Sequence, residues 1–333
     1  MKSTVLAVAM AALMIICPLA LINGVDADTN NGQTYDRVLV EGDSYSYSPT
    51  FNVTMGLTVA VSGTAADWLS VSGNATSGYT ISGTAPSVST SGGSQSFVLN
   101  VTATTTHPTQ TATQTINFTV YDTLTVSGSK TSDIIYTGDT VSATSSSNFT
   151  GVTYSMTNAP AGISINASTG AISGTVSETH TGDGDSKTIT STVTATHAAS
   201  YQSKSYTITF TMYKTVTLSG DTVAYAIKGT DLGTVMENAS SGDFAQVSAN
   251  VGNISYTATI NNSNATGTSN KVSGMYVDSN GAINGLPSAS GDFTVVITAH
   301  HSISGQSATK TITLHAVEPL GFSNVPSGNI VVS

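Results

Sequence analysis

The chain has 333 residues, of which only 8% are charged, and its formal net charge is −10. Nine lysines and arginines over this length are too few for the basic surface that nucleic-acid binding requires, so we predict no nucleic-acid partner. The only cysteine, Cys17, lies in an apolar leader. The exported chain would therefore have no disulfide, no thiol catalysis and no thiolate metal site.

The leader, residues 1–27, has the pattern of a signal peptide. Lys2 is followed by an apolar run from Val5 to Ile22, and Val25-Asp26-Ala27 fits a cleavage site with small residues. The sequence therefore predicts export and an extracellular or cell-surface localisation. The alternative is an uncleaved membrane anchor, because the apolar run is close to the length of a spanning helix.

The rest of the chain repeats. The segments INFTVYDTLTVSG (116–128), ITFTMYKTVTLSG (208–220) and ITLHAVEPLGFSN (312–324) are offset by 208 − 116 = 92 and 312 − 208 = 104 residues. The strands that precede them, FVLNVTA (97–103), ITSTVTA (189–195) and FTVVITA (293–299), show the same two offsets. Two separate motifs with equal spacings predict three repeats, at 35–122, 123–214 and 215–318.

These segments alternate with a period of two. In each segment one face is apolar, and the other is rich in threonine. The apolar face of the segment 97–103 consists of Phe97, Leu99, Val101 and Ala103. This pattern is typical of half-buried antiparallel strands, and we expect almost no helix. Units of about 100 residues with several such strands predict an all-β fold of tandem Ig-like β-sandwich domains. The very short linkers between them favour an extended rod.

A short motif recurs in each repeat as a strand, a polar turn and a second strand. Its best copy is PAGISINASTGAISGT (160–175), in which Gly170 is free to take a positive φ. A looser copy, WLSVSGNATSGYTISGT (68–84), precedes it, and GMYVDSNGAING (274–285) follows; the last keeps Gly274, Gly281, Ile283 and Gly285.

These residues resemble the signature of the Ig-like, cadherin-like repeat family of microbial (archaeal or bacterial) cell-surface proteins. The resemblance covers most of the chain after the leader. It implies an Ig-like sandwich and a surface or adhesive role, but no particular partner. For such a non-catalytic structural protein we expect a partner that is a protein or polysaccharide of the cell envelope or of a host surface. The alternative is a carbohydrate-binding accessory module of a larger extracellular protein or enzyme.

The chain offers ten candidate sites for N-glycosylation, each an Asn-x-Ser/Thr triplet. They are Asn52, Asn74, Asn100, Asn117, Asn148, Asn166, Asn238, Asn253, Asn261 and Asn264. Triplets also arise by chance in a chain so rich in Ser, Thr and Asn. Asn100 and Asn117 lie in predicted strands but on the polar phase, where a glycan would point to solvent.

Calcium is the cofactor to consider, because the family is cadherin-like. The best local cluster is Asp183 and Asp185, in a loop before a predicted strand, but a full calcium loop requires more ligands. We favour a solvated acidic hairpin there, and we expect folding without a metal. Ser127 and Lys130 have the spacing of some acyl-serine enzymes but lack the companion motifs, so we predict that the protein is not an enzyme.

Residues 319–333 begin like the openings of the second and third repeats, with Leu320 and Phe322 on the same alternating phase. A lone apolar strand cannot bury itself. We expect either the start of a truncated further repeat, or a free strand. In the second case Ile330 to Val332 would insert into the sheet of a neighbouring subunit and support self-assembly.

Overall fold

The computed structural model describes residues 31–52, 54–230, 246–262 and 275–321. Within these ranges the chain is built from β-strands, with two short 3₁₀ turns at Thr64–Asp67 and Ala198–Ser200 and no α-helix. No helix in the described ranges is long and apolar enough to cross a membrane. The predicted all-β class is confirmed. The leader, with its alternative as an anchor, and the tail beyond Gly321 lie outside the described residues.

The chain divides into two compact units. The first contains Met1–Ser127, Ser146–Thr153 and Thr194–Ser205; the second contains Gly128–Ser145, Tyr154–Val193 and Tyr206–Ser333, each as far as it is described. This division does not coincide with the repeat bounds expected at 122 and 214. Those bounds therefore stay a prediction.

The first seven strands form two sheets, in the orders β1-β7-β6-β3 and β2-β5-β4. They are β1 (Gln33–Val40), β2 (Ser44–Tyr47), β3 (Thr58–Ser62), β4 (Leu69–Asn74), β5 (Gly78–Thr84), β6 (Ser94–Thr106) and β7 (Thr109–Tyr121). Their apolar faces form one cluster that includes Leu69, Ile81, Leu99 and Phe118. Complete burial of a side chain as large as Phe118 stabilises the fold by about 1.5–3 kcal/mol.

The next eight strands also form two sheets, in the orders β12-β13-β10-β8 and β11-β14-β15-β9. They are β8 (Val126–Gly128), β9 (Ser132–Tyr136), β10 (Thr140–Ser147), β11 (Thr153–Thr157), β12 (Ile163–Ile165), β13 (Ala171–Thr175), β14 (Ser186–His197) and β15 (Gln202–Tyr213). A second cluster contains Ile135, Ile172, Val193 and Phe210. Phe210 lies 92 residues after Phe118 and is equally buried, so the sequence repeat places the same ring in both cores.

The last eight strands form one four-stranded sheet, β17-β23-β22-β19, and the pairs β16-β18 and β20-β21. They are β16 (Leu218–Gly220), β17 (Val223–Ile227), β18 (Val247–Ala249), β19 (Ile254–Asn262), β20 (Met275–Val277), β21 (Ile283–Gly285), β22 (Gly291–His301) and β23 (Ser307–Val317). The third cluster contains Phe293, Val295, Ile297 and Leu314.

The predicted phase of the strands is confirmed. Phe97, Leu99, Val101 and Ala103 are all buried, whereas the intervening side chains are half-buried or exposed. The predicted pairing was incomplete, because three strands near the start of the repeats pair in parallel with a closing strand: β1 with β7, β9 with β15 and β17 with β23. The alternation of apolar and polar residues indicates which face of a strand is exposed to solvent, but it does not indicate whether the neighbouring strand is parallel or antiparallel.

Candidate functional site

The turn of the best signature copy is held by one side chain. β12 and β13 pair antiparallel, and Asn166 Oδ1 accepts hydrogen bonds from the amides of Ser168 and Thr169, both at 3.0 Å. Gly170 has a φ of 70°, the left-handed region that glycine adopts without strain. The predicted turn chemistry of residues 166–170 is therefore confirmed.

The other two copies use the same device. Asn74 Oδ1 accepts hydrogen bonds from the amides of Thr76 and Ser77, at 2.8 and 2.9 Å. In the third copy an aspartate replaces the asparagine, and Asp278 Oδ1 accepts from the amide of Asn280 at 2.8 Å. Gly274, with which the third copy opens, lies outside the described residues. In all three turns a side-chain oxygen thus accepts backbone hydrogen bonds. That oxygen belongs to an asparagine in two turns and to an aspartate in the third.

The candidate glycosylation sites differ in what their side chains do. Asn100 and Asn117 lie in β6 and β7 on the polar face, as predicted, but both are half-buried, and Asn117 Nδ2 donates to Asp36 Oδ1 at 3.0 Å. Asn52 and Asn253 are exposed, and Asn261 lies in β19. Asn238 and Asn264 lie outside the described residues. Whether any site is modified stays a prediction.

The acidic loop holds its two carboxylates in different environments. Asp183 is exposed, whereas Asp185 is half-buried and its Oδ2 accepts a hydrogen bond from the amide of Gly252 at 2.9 Å. Within the described ranges, no group of three or more His, Cys, Asp or Glu side chains is placed to hold a metal ion. Asp185 instead fixes a neighbouring loop, which gives this carboxylate a structural role.

Residues 122–125, here called the first linker, are held by Gln202 at the start of β15. Its Nε2 donates to the carbonyl of Asp122 at 2.8 Å, and its Oε1 accepts from the amide of Leu124 at 2.7 Å. Gln202 Nε2 also donates to Ser200 Oγ at 3.1 Å, and that hydroxyl contacts His197 Nδ1 at 2.8 Å. One glutamine thus binds the backbone of the linker on both sides of Thr123.

An asparagine holds the same linker from a second direction. Asn148 Oδ1 accepts from the amide of Thr125 at 2.8 Å, and Asn148 Nδ2 donates to the carbonyl of Thr123 at 2.9 Å and to Asp122 Oδ2 at 3.0 Å. The ring of Phe149, the next residue, lies 4.5 Å from the ring of His197. The backbone polar groups of the linker are therefore satisfied by fixed side chains, as partly buried segments require.

Residues 214–217, here called the second linker, are held in the same way. Gln306 Nε2 donates to the carbonyl of Lys214 at 3.0 Å, and Gln306 Oε1 accepts from the amide of Val216 at 3.2 Å. Asn250 Oδ1 accepts from the amide of Thr217 at 2.8 Å, and its Nδ2 donates to the carbonyl of Thr215 at 2.9 Å. We call each set of one glutamine and one asparagine with its linker a linker clasp.

In each linker clasp, a histidine contacts the serine hydroxyl to which the glutamine donates. His301 is fully buried; its Nδ1 lies 2.7 Å from Ser304 Oγ and accepts from the amide of Ser304 at 3.1 Å, so the ring proton is assigned to Nε2. Gln306 Nε2 also donates to Ser304 Oγ at 3.0 Å. His197 and His301 thus have equivalent structural roles, whereas His107 contacts the adjacent Thr106.

The linker clasps are the feature that the sequence analysis missed. Their signal is the motif His-x-x-Ser-x-Gln, which occurs at 197–202 and again at 301–306, offset by 301 − 197 = 104 residues. The offset equals that of the flanking strands, so the pattern could have been found. Its polar residues are distant in sequence from the linkers that they contact, and sequence alone does not distinguish them from exposed loop residues.

Hydrogen bonds also shift two carboxyl groups. The amide of Gly92, followed by that of Thr123 and the Asn148 side chain, holds the pKa of Asp122 below its ordinary value, against the opposing effect of burial. The hydrogen bond from Lys187 does the same for the pKa of Glu178. Both groups therefore stay ionised and paired at neutral pH.

The remaining candidate residues have local structural partners. Trp68 is partly buried and packs edge-on against Phe118, with ring centroids 5.2 Å apart. Ser127 Oγ contacts Ser146 Oγ at 3.2 Å, and Lys130 Nζ pairs with Asp133 at 2.8 Å. Within the described residues, Ser127 and Lys130 thus each have a separate local partner.

No protein-family model and no curated protein matches the chain. Among solved structures, the I-band fragment I67-I69 from titin covers 86% of this chain and 96% of its own length, with a TM-score of 0.51 and 9% identity. Mouse cadherin-23 EC22-24 covers 86% of this chain and 96% of its own length, with a TM-score of 0.36 and 13% identity. At these identities the likeness to the titin fragment shows the fold alone, namely Ig-like domains in tandem.

Proposed function

We propose that this protein is an exported, non-catalytic structural or adhesive protein of the microbial cell surface. It consists of three tandem Ig-like domains, at 35–122, 123–214 and 215–318. The observation that carries the proposal is the pair of linker clasps. Gln306 is only 7% exposed, and both linkers are bonded through their backbone on two sides. A protein that spaces or presents domains depends on ordered linkers, whereas catalysis within one domain does not.

The proposed partner is a protein or polysaccharide of the cell envelope or of a host surface. A second candidate function, a carbohydrate-binding accessory module, is favoured by one observation. Tyr225 on β17 is 70% exposed and stacks on His315 of β23, with ring centroids 5.3 Å apart. His315 Nδ1 lies 2.6 Å from Asp292 Oδ1, which sets a polar group beside the aromatic pair. Exposed rings with adjacent polar groups are suited to stack on sugars.

Fractionation of the source cells tests the first proposal. We expect the protein outside the cytoplasm, digestible by protease added to intact cells, with an intact mass that begins near Asp28. Recovery in the cytoplasm with Met1 retained would contradict export. Intact Met1 in a membrane fraction would instead support the uncleaved anchor.

Binding assays separate the two functions. The structural role predicts retention in cell-adhesion or assembly assays and no specific retention on envelope polysaccharide. The accessory role predicts retention on polysaccharide that Tyr225→Ala abolishes. Lys310→Ala, on the neighbouring strand, is the matched control for a nonspecific surface effect.

A further inference from the structure

We propose that Asn74 and Asn166, the two asparagines of the signature turns, carry N-linked glycans and that Asn148 does not. All three lie in an Asn-x-Ser/Thr triplet, so the sequence does not distinguish them. The hydrogen bonds of their side chains do. The proposal requires export but not any particular partner of the exported protein.

In the two signature turns the asparagine acts through its oxygen. Asn74 Oδ1 and Asn166 Oδ1 each accept two backbone hydrogen bonds, and both residues are exposed. The nitrogen carries two hydrogens, and replacing one of them by a sugar leaves Oδ1 and its turn unchanged. Thr76 and Ser168, the hydroxyl residues of the two triplets, are also exposed and enter the turns through their backbone amides.

Asn148 acts through its nitrogen as well as its oxygen. Its Nδ2 donates to the carbonyl of Thr123 at 2.9 Å and to Asp122 Oδ2 at 3.0 Å, which uses both hydrogens. A glycan would remove one of these donors and place a sugar against the first linker. A chain modified at Asn148 would therefore lose half of the bonds from Nδ2 in the linker clasp.

The modification is a group transfer from a saccharide linked to a polyprenyl phosphate or pyrophosphate. The amide nitrogen forms a bond to the anomeric carbon while the bond from that carbon to the phosphate oxygen breaks. The phosphate leaves with the electron pair, and the amide proton passes to a base of the transferase. No oxidation or reduction takes place.

Peptide mass spectrometry of the full protein isolated from its source cells tests the proposal. We expect saccharide mass on the peptides that contain Asn74 and Asn166, and none on the peptide that contains Asn148. Absence of saccharide at both turns would overturn the proposal, and so would occupancy of Asn148 equal to theirs.

Variants separate the triplet from the turn. Thr76→Ala and Ser168→Ala remove the triplets but keep the asparagine oxygens that hold the turns, so each should lose one glycan without unfolding. Ala167→Ser, at the exposed middle position of the second triplet, keeps the triplet, is the matched control and should keep its glycan. Loss of the saccharide in the control as well would contradict the assignment.

The third turn permits a gain of site. Asp278→Asn combined with Asn280→Thr creates a triplet where the side-chain oxygen already accepts from the amide of residue 280. We expect this double variant, produced in the source cells, to gain one glycan. Failure to gain it while Asn74 and Asn166 are occupied would show that the turn geometry does not define the acceptor.

Discussion

The two linkers of this protein use the same amide side chains but different carboxylates. In the first, Asp122 belongs to the linker itself, and its side chain accepts from the amides of Gly92 and Thr123 at 2.7 and 2.6 Å. In the second, Lys214 stands at the equivalent place, 92 residues later. The nearby carboxylate there is Asp185, which accepts from the amide of Gly252 at 2.9 Å and whose backbone carbonyl accepts from the amide of Lys214 at 3.0 Å.

This difference shows which side chains of a linker clasp keep the linker backbone ordered. The glutamine and the asparagine recur with the same four backbone bonds, whereas the charge at the start of the linker changes sign. An uncharged hydrogen-bonding set suffices at both places, because it satisfies the backbone donors and acceptors directly. We infer that each linker is ordered by the neutral amides that both linkers share, and that the Asp122 carboxylate adds hydrogen bonds in the first linker alone.

The largest effect is expected from removal of the glutamines. Gln306→Ala leaves the carbonyl of Lys214 and the amide of Val216 without their partner, which should cost about 1–3 kcal/mol for each buried group left unpaired. Gln202→Ala should cost less, because Gln202 is only half-buried. Midpoints of urea unfolding give the comparison. Gln110→Ala, on an exposed position of the β6–β7 hairpin, is the control, and an equal loss in all three variants would refute the role of the clasps.

Asparagine-to-aspartate changes should separate the two linkers. Asn148→Asp places a second carboxylate against Asp122, whereas Asn250→Asp faces the backbone of the second linker. We expect the first change to destabilise more at pH 7, and the excess to shrink as pH falls and one carboxyl of the pair becomes protonated. Thermal unfolding at pH 7 and pH 4 measures this. Equal losses at both pH values would contradict the electrostatic difference.

The pH dependence of the first linker follows from the lowered pKa of Asp122. Because the folded pKa lies below the ordinary value of 3.8, the ionised group contributes stability above that pH. The contribution is lost as pH falls through the folded value. The amide resonances of Gly92 and Thr123 should therefore shift with an inflection below pH 3.8, and Asp122→Asn should remove it. An inflection above pH 3.8 would mean that folding raises the pKa of Asp122, which would contradict this account.

The smallest effect concerns the residue before each glutamine. Tyr201 is 83% exposed and has a φ of 57°, whereas Gly305 has the equivalent place with a φ of 71°. A left-handed backbone costs a residue with a Cβ about 1–2 kcal/mol, and part of any gain from glycine is offset by its freedom in the unfolded chain. Tyr201→Gly should therefore raise stability by at most about 1 kcal/mol, and Gly305→Ala should lower it by about as much. Calorimetric melting measures both changes, and stabilisation by Gly305→Ala would contradict this account.

Much of the fold could be predicted from the sequence. The 92-residue offset aligned Phe118 with Phe210, the 104-residue offset aligned Phe210 with Leu314, and all three are fully buried. The phase of β6 and the turn at Asn166 also followed from local pattern. The parallel pairing of β1, β9 and β17 did not, since it depends on contacts distant in sequence.

The linker clasps escaped prediction for a related reason. Gln202 and Asn148 carry the composition of ordinary loop residues, and only their meeting at residues 122–125 gives them a role. The sequence favoured Asn100 and Asn117 as glycan sites from strand phase alone. The structure ties the nitrogen of Asn117 to Asp36 and leaves Asn74 and Asn166 exposed in their turns.

The order of the linker amides in the absence of metal tests the central claim most directly. Nitrogen-15 relaxation of residues 28–333, in excess chelator, would report the amides of Leu124 and Val216, which bond to Gln202 and Gln306. If neutral amides hold the linkers, both order parameters should be about 0.85, the value of rigid backbone, and calcium should not change them. Values below about 0.6 in chelator that rise when calcium is added would contradict the account.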